Sequence, residues 1–199
     1  MKEMELAFLL EEPSAKAMLE SLLPRILHPS IKSRLLAFEG KQDLEKQMVR
    51  KMRSYINPRA RFIVMRDQDA TPDCRVVKAA LLTRCAEAGR QGVALVRIAC
   101  RELESFYLAD LVAVEAGLGI KGIAKQQGTK KFKNPDSLQK PSKELLTLTK
   151  HRYEKVGGSR VIGQHLDAGN ERSISFKNLI AGIKRMEQEL LSLAEVGIE

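Results

Sequence analysis

The stretch FIVMRDQDA (residues 62–70) decides how the rest of the chain is read. It opens apolar from Phe62 to Met65, passes through Arg66, and ends in Asp67 and Asp69 with Gln68 between them. Such a run predicts a buried strand. Side chains on a strand alternate faces, so positions i and i+2 are predicted to point the same way. Two carboxylates held side by side repel each other unless a positive charge sits between them. The segment therefore predicts a strand that ends at a site in need of a cation.

On either side, two hydrophobic periods alternate. ELAFLL (5–10) reads as a first strand, and Met18, Leu19, Leu22, Leu23 and Ile26 follow at helical spacing. RLLAF (34–38) is a short second strand broken by Gly40. Leu44, Met48, Met52, Tyr55 and Ile56 then give an amphipathic helix closed by Asn57-Pro58. After the strand RFIVM (61–65), Thr71-Pro72 predicts a helix start, with Thr71 as cap and Pro72 at the first helical position. That helix runs to about residue 88. GVALVRIAC (92–100) is the fourth strand, and RELESFYLADLVAVEAGL (101–118) is predicted as one helix. Strands alternating with helices predict an α/β fold, a mostly parallel sheet flanked by helices.

Ligands of such sheets bind beyond the carboxyl ends of the strands, near a switch in strand order. This sequence places acids there: Glu11 and Glu12 after strand one, Asp67 and Asp69 after strand three, Glu102 and Glu104 after strand four. A lone acid in such a position is usually a turn former or helix cap, the role read for Asp73. Three acidic clusters converging on one edge would repel, which predicts a divalent cation. Oxygen ligands select Mg²⁺ or Mn²⁺.

Composition is consistent with a polyanionic partner. The 199 residues carry 34 Lys+Arg against 25 Asp+Glu, a net charge of +9. Cys74, Cys85 and Cys100 form no CxxC pair, and His28, His151 and His165 lack zinc-ligand spacing. Neither a disulfide framework nor a zinc site is expected, and a cytoplasmic location is. The N-terminus does not read as a signal peptide, and no apolar stretch is long enough to span a bilayer, so no membrane is expected. GxxxxGK[ST] is absent, and GGSR (157–160) is not a nucleotide loop, so the chain is not expected to hydrolyse ATP itself.

A glutamate after strand one and D-x-D after a later strand resemble the TOPRIM domain of topoisomerases, primases and nucleases of the overcoming-lysogenization-defect type. A closer resemblance, over nearly the whole chain, is to the bacterial TOPRIM-like domain of unknown function 4276. It is carried by LLEEPSAKAMLESLLPRIL, FEGKQDLEK, FIVMRDQDATPDC, VRIACRELESFYLAD, KPSKELL, GGSRVIGQHLD and RSISFKNLIAGI. The resemblance implies Glu11 as general acid/base, Asp67 and Asp69 as metal ligands, and Glu104 and Glu102 completing the site. It also implies an ABC-type ATPase encoded nearby, in a phage-defence setting. Where the family carries a glycine and a further acid after the first glutamate, this chain has Glu12 and Ala15.

Residues 1–120 are read as the TOPRIM-like domain and 121–199 as a basic loop and helical extension packed on it. Segment 121–143 is rich in lysine and lacks a period, so it reads as a mobile loop. Lys125, Lys130, Lys131, Lys133 and Arg160 are its candidates and its neighbour's for contact with a nucleic-acid backbone, DNA rather than RNA. Phe176, Leu179, Ile180, Ile183, Met186, Leu190 and Leu191 form a packing stripe on a last helix, and Ser173 and Ser175 are read as caps. A homodimer is a further expectation.

The function that follows is a metal-dependent nuclease or phosphotransfer module under an ATPase. The alternative is a non-catalytic adaptor or sensor with a degenerate site. A phosphorylation receiver fits less well, because Ala99-Cys100-Arg101 offers no hydroxyl residue after strand four.

Overall fold

Strands β1 (Met4–Leu10), β2 (Ile31–Ala37), β3 (Arg61–Asp67) and β4 (Ala94–Ala99) form an all-parallel sheet of order β2-β1-β3-β4. The computed structural model describes residues 3–196. Eight helices interleave with and follow the strands: α1 (Pro13–Ile26), α2 (Lys41–Arg53), α3 (Cys74–Glu87), α4 (Glu104–Leu108), α5 (Leu111–Leu118), α6 (Pro141–Leu148), α7 (Lys155–Gly163) and α8 (Ile174–Val196).

The period-2 pattern sorts each strand onto two apolar layers. Leu6, Phe8, Leu10, Ile63 and Met65 pack with Met18, Leu19 and Leu22 of α1 and with Phe176, Leu179, Ile183, Met186 and Leu190 of α8. Ala7, Leu9, Phe62, Val64 and Val96 face Leu44, Met48 and Met52 of α2 and Val77, Leu81 and Cys85 of α3. Central strands buried on both faces read as unbroken apolar runs, which is why FIVM is continuous.

The chain leaves β1 for β2 and then returns past β1 to reach β3, so the order reverses between β1 and β3. In sheets of this kind that is where a crevice opens at the carboxyl edge. Glu11 leaves β1 there, with its N–H donating to the Met65 carbonyl at 3.1 Å, and Asp67 ends β3.

Four local expectations are corrected. Helix α3 begins at Cys74, not at Thr71-Pro72, and Asp73 is its cap, accepting the Arg75 N–H at 2.8 Å. The Gln68 side-chain amide holds the carbonyls of Thr71 and Pro72, fixing those residues in the preceding turn. Region 101–118 is two helices, because Asp110 leaves helical geometry and caps α5 through the Ala113 N–H at 3.1 Å. Alternation stops at Asp67. Asp69 has left the strand with φ of 55°, so the two aspartates are not neighbours on one strand face.

Nor is 121–143 a mobile loop. Phe132 and Ile123 are buried, and two 3₁₀ turns (Ala124–Gln126 and Pro135–Ser137) shape it. The Gln127 side chain donates to the carbonyls of Leu108 and Phe132 and accepts the Leu111 N–H. Asp136 accepts the Ser173 hydroxyl at 2.7 Å and the Ser175 N–H at 2.9 Å. Ser173 also caps α8 by accepting the Phe176 N–H at 3.0 Å. Among the described residues no helix is long and apolar enough to cross a membrane.

Candidate functional site

At the reversal point, strand ends and helix starts bring four carboxylates near one another. Glu11 accepts the Asp67 N–H at 3.0 Å, and Arg66 Nε lies 3.7 Å from it. Burial raises the Glu11 pKa above the usual carboxylate range against the pull of that N–H, and the charges of Asp69 and Glu12 add to the rise. Asp67 is pushed well above its usual value, first by burial and then by Glu12, Glu11 and Glu104. Glu104, 1% exposed at the start of α4, is raised by burial, while the Tyr153 hydroxyl donates to it at 2.9 Å.

The chain itself brings positive charge to this edge. Lys155 opens α7 with Nζ 2.5 Å from Glu12 Oε2, and Glu12 also accepts the Ser14 hydroxyl. Burial works against the Lys155 charge, but Glu12, Glu104 and Asp67 more than offset it and hold the ammonium above its usual range. On the far side of Glu11, Arg66 pairs with Glu45 and lies near Asp69, whose carboxylate meets Lys41 at 2.9 Å.

The structure thus brings together Glu11, Asp67 and Glu104 and sets Asp69 and Glu102 to other tasks. Asp69 is tied to Lys41. Glu102 accepts the Ser142 N–H at 2.6 Å and caps α6, whose first residue is Pro141. As the side chains stand, no three Asp, Glu, His or Cys side chains among the described residues are gathered as ligands of one ion. Of the basic candidates, Lys131 is paired with Glu144 and Arg160 with Glu20. Lys125, Lys130 and Lys133 are exposed and pair with no acid among the described residues.

Three participants escaped the sequence reading: Lys155, Tyr153 and Tyr107. The Tyr107 hydroxyl is fully buried, has no hydrogen-bond partner among the described residues, and feels the charges of Glu104, Asp67 and Glu12. Beside the acids lies a cavity of about 440 Å³ lined by Glu104, Ser142, Lys143, Leu146, Tyr153 and Lys155. Within GGSR, Gly158 serves packing, since a Cβ on it would lie 2.5 Å from the Tyr153 ring. Close fit of α7 against Tyr153 is what aims Lys155.

The family described as Domain of unknown function (DUF4276) matches residues 10–184 of this chain. Comparison with curated proteins and with solved structures gives no match.

Proposed function

Starting from a chain that belongs to the DUF4276 family, we propose a metal-dependent phosphodiesterase acting on nucleic acid, of TOPRIM type and controlled by an ABC-type ATPase partner. One observation carries the proposal. Burial raises the pKa of Glu11, Asp67 and Glu104 at the reversal point of the sheet, the charges of Glu12, Glu11 and Glu104 raise that of Asp67 further, and Lys155 stands beside them, paired with Glu12. Perturbed acids in a cleft of this kind cluster at sites of chemistry.

The residues fit Mg²⁺ or Mn²⁺. All donors are hard oxygens, the acids outnumber the cations that face them, and the Tyr107 hydroxyl is left without a partner. Asp67, Glu104 and Glu12 would hold the ion. When bound, it would supply charge stabilisation to phosphoryl oxygens. Glu11, with its pKa raised by burial, would accept a proton from water or hydroxyl. Lys155 would balance charge on a non-bridging oxygen. Lys125, Lys130 and Lys133 would meet the phosphate backbone.

A second reading, the non-catalytic adaptor, draws on Lys155 itself, which already neutralises Glu12. The test reconstitutes the full chain with the ATPase encoded beside it and supplies labelled DNA and Mn²⁺. Asp67→Asn and Lys155→Met should each slow cleavage by about two to three orders of magnitude at unchanged DNA affinity. Equal cleavage or equal cell protection by all three proteins would leave the adaptor.

A further inference from the structure

Independently of that site, the structure has a sheet edge that is open at Ile98. In the β3–β4 ladder the Phe62 N–H donates to the Val93 carbonyl and the Gln68 N–H to the Ala99 carbonyl. In a parallel ladder this means that odd-numbered residues of β4 bond to β3 and even-numbered ones present their backbone outward. Two outward groups are satisfied locally: the Val96 carbonyl accepts Arg97 Nη1, and the Cys100 N–H donates to Ser175 Oγ. Both backbone groups of Ile98 form no hydrogen bond among the described residues, whereas Val96, 1% exposed, is covered.

A cleft of about 390 Å³ runs along this edge between the starts of α3 and α8, lined by Cys74, Lys78, Arg97, Ile98 and Ile174 among others. Ile174 is 65% exposed, an apolar side chain standing open at the cleft. Arg97 lies across Gly182, where a Cβ would meet its Nε at 2.6 Å, and donates to the Asn178 carbonyl. Neither Lys78 nor Arg97 pairs with an acid among the described residues. The opposite edge differs. On β2, Lys32 and Arg34 are neutralised by Glu3 and Glu5.

We propose that the outer edge of β4 docks an acidic, extended peptide segment of a partner protein. Addition of a strand satisfies the Ile98 backbone groups, and acidic side chains on the added strand meet Lys78 and Arg97. A second copy of this chain is disfavoured, because symmetric edge pairing sets Lys78 and Arg97 against their own counterparts. A phosphate backbone provides no donor for the Ile98 carbonyl.

The test is fluorescence anisotropy on the full chain with a short, end-blocked peptide of alternating glutamate and valine. The expected result is saturable binding that weakens by about tenfold or more when alternate peptide amides are N-methylated in the phase that faces β4. Lys78→Glu, an exposed substitution on α3, should weaken it comparably while leaving the melting temperature unchanged. No binding, equal binding of the N-methylated or lysine-valine peptide, or indifference to Lys78→Glu would each overturn the proposal. Displacement by oligothymidylate would give the cleft to nucleic acid. A dimer that strengthens in Lys78→Glu and excludes the peptide would give the edge to a second copy.

Discussion

Lys155 Nζ and Glu12 Oε2 lie 2.5 Å apart, so the first residue of α7 closes onto the residue that caps α1, 143 positions earlier. Around this pair sit acids that would otherwise repel. Replacing Lys155 by methionine keeps the stem and removes the charge, so Asp67 and Glu104 should titrate still higher. Carboxyl resonances followed by NMR should move to higher pH; unchanged titration would show that Lys155 lies outside their field.

Asp67→Asn should stabilise the metal-free protein at pH 8. Asp67's folded pKa is raised, so the fold favours its protonated form, and stability is lost as pH rises through that pKa. Asparagine stays neutral throughout. Its melting temperature should exceed that of the wild type by a few degrees at pH 8, at about 2–4 °C per kcal/mol. The gap should close near pH 4. A destabilised variant at pH 8 would show that Asp67 is held by contacts only the carboxylate can make.

The Tyr153 hydroxyl and the Glu104 carboxylate are both buried, and their hydrogen bond lowers the pKa that burial raises. Tyr153→Phe should cost about 1.5–3 kcal/mol, the range for a bond to a charged group. The variant should also shift Glu104 titration upward. Thermal unfolding combined with the NMR titration separates the two effects.

Helix α7 fits closely between its neighbours. A Cβ on Gly163 would lie 2.7 Å from the Met18 carbonyl oxygen of α1, and one on Gly117 of α5 2.8 Å from the Ile162 backbone. Gly163→Ala should therefore lose about 1–3 kcal/mol to overpacking, outweighing the roughly 1 kcal/mol that alanine gains in a helix. Gly157→Ala, whose Cβ meets only the end of Glu154 at 3.6 Å, should be neutral or stabilising. Urea denaturation of the pair decides it; equal effects would mean that α7 can shift freely.

If the lysine segment meets a phosphate backbone, the exposed trio Lys125, Lys130 and Lys133 does so. Replacing all three by glutamine should weaken DNA binding to every sequence alike and flatten the log–log salt slope by about one unit per contact. Lys131→Gln should change less, because Glu144 already holds that side chain. An unaltered slope in the triple variant would remove the segment from the interface.

The alternation of periods and the apolar run Phe62–Met65 made the parallel sheet legible, since both follow from burial of strands on two faces. Glu11, Asp67 and Glu104 were legible as acids at strand ends for the same reason. The partners of those acids were not. Lys155 and Tyr153 reach them across the fold, and no local pattern records a contact made after a long crossover. The places of Asp69 and Glu102 were not legible, because D-x-D and E-x-E spacing looks alike whether a carboxylate faces its neighbour, a lysine or a helix start. The split at Asp110 went unread because its cap competes with a helix that its flanking residues would otherwise continue.

The separation of Glu12 from Lys155 has a consequence for biosynthesis. Domains assemble as the chain emerges, at about 5–20 residues per second. All four carboxylates are synthesised before Lys155, so a nascent chain arrested in the lysine segment carries the acids without their counter-charge. The same arrested chain lacks α8, which covers one face of the sheet, so a product truncated before Lys155 is missing both a charge and a side of its core.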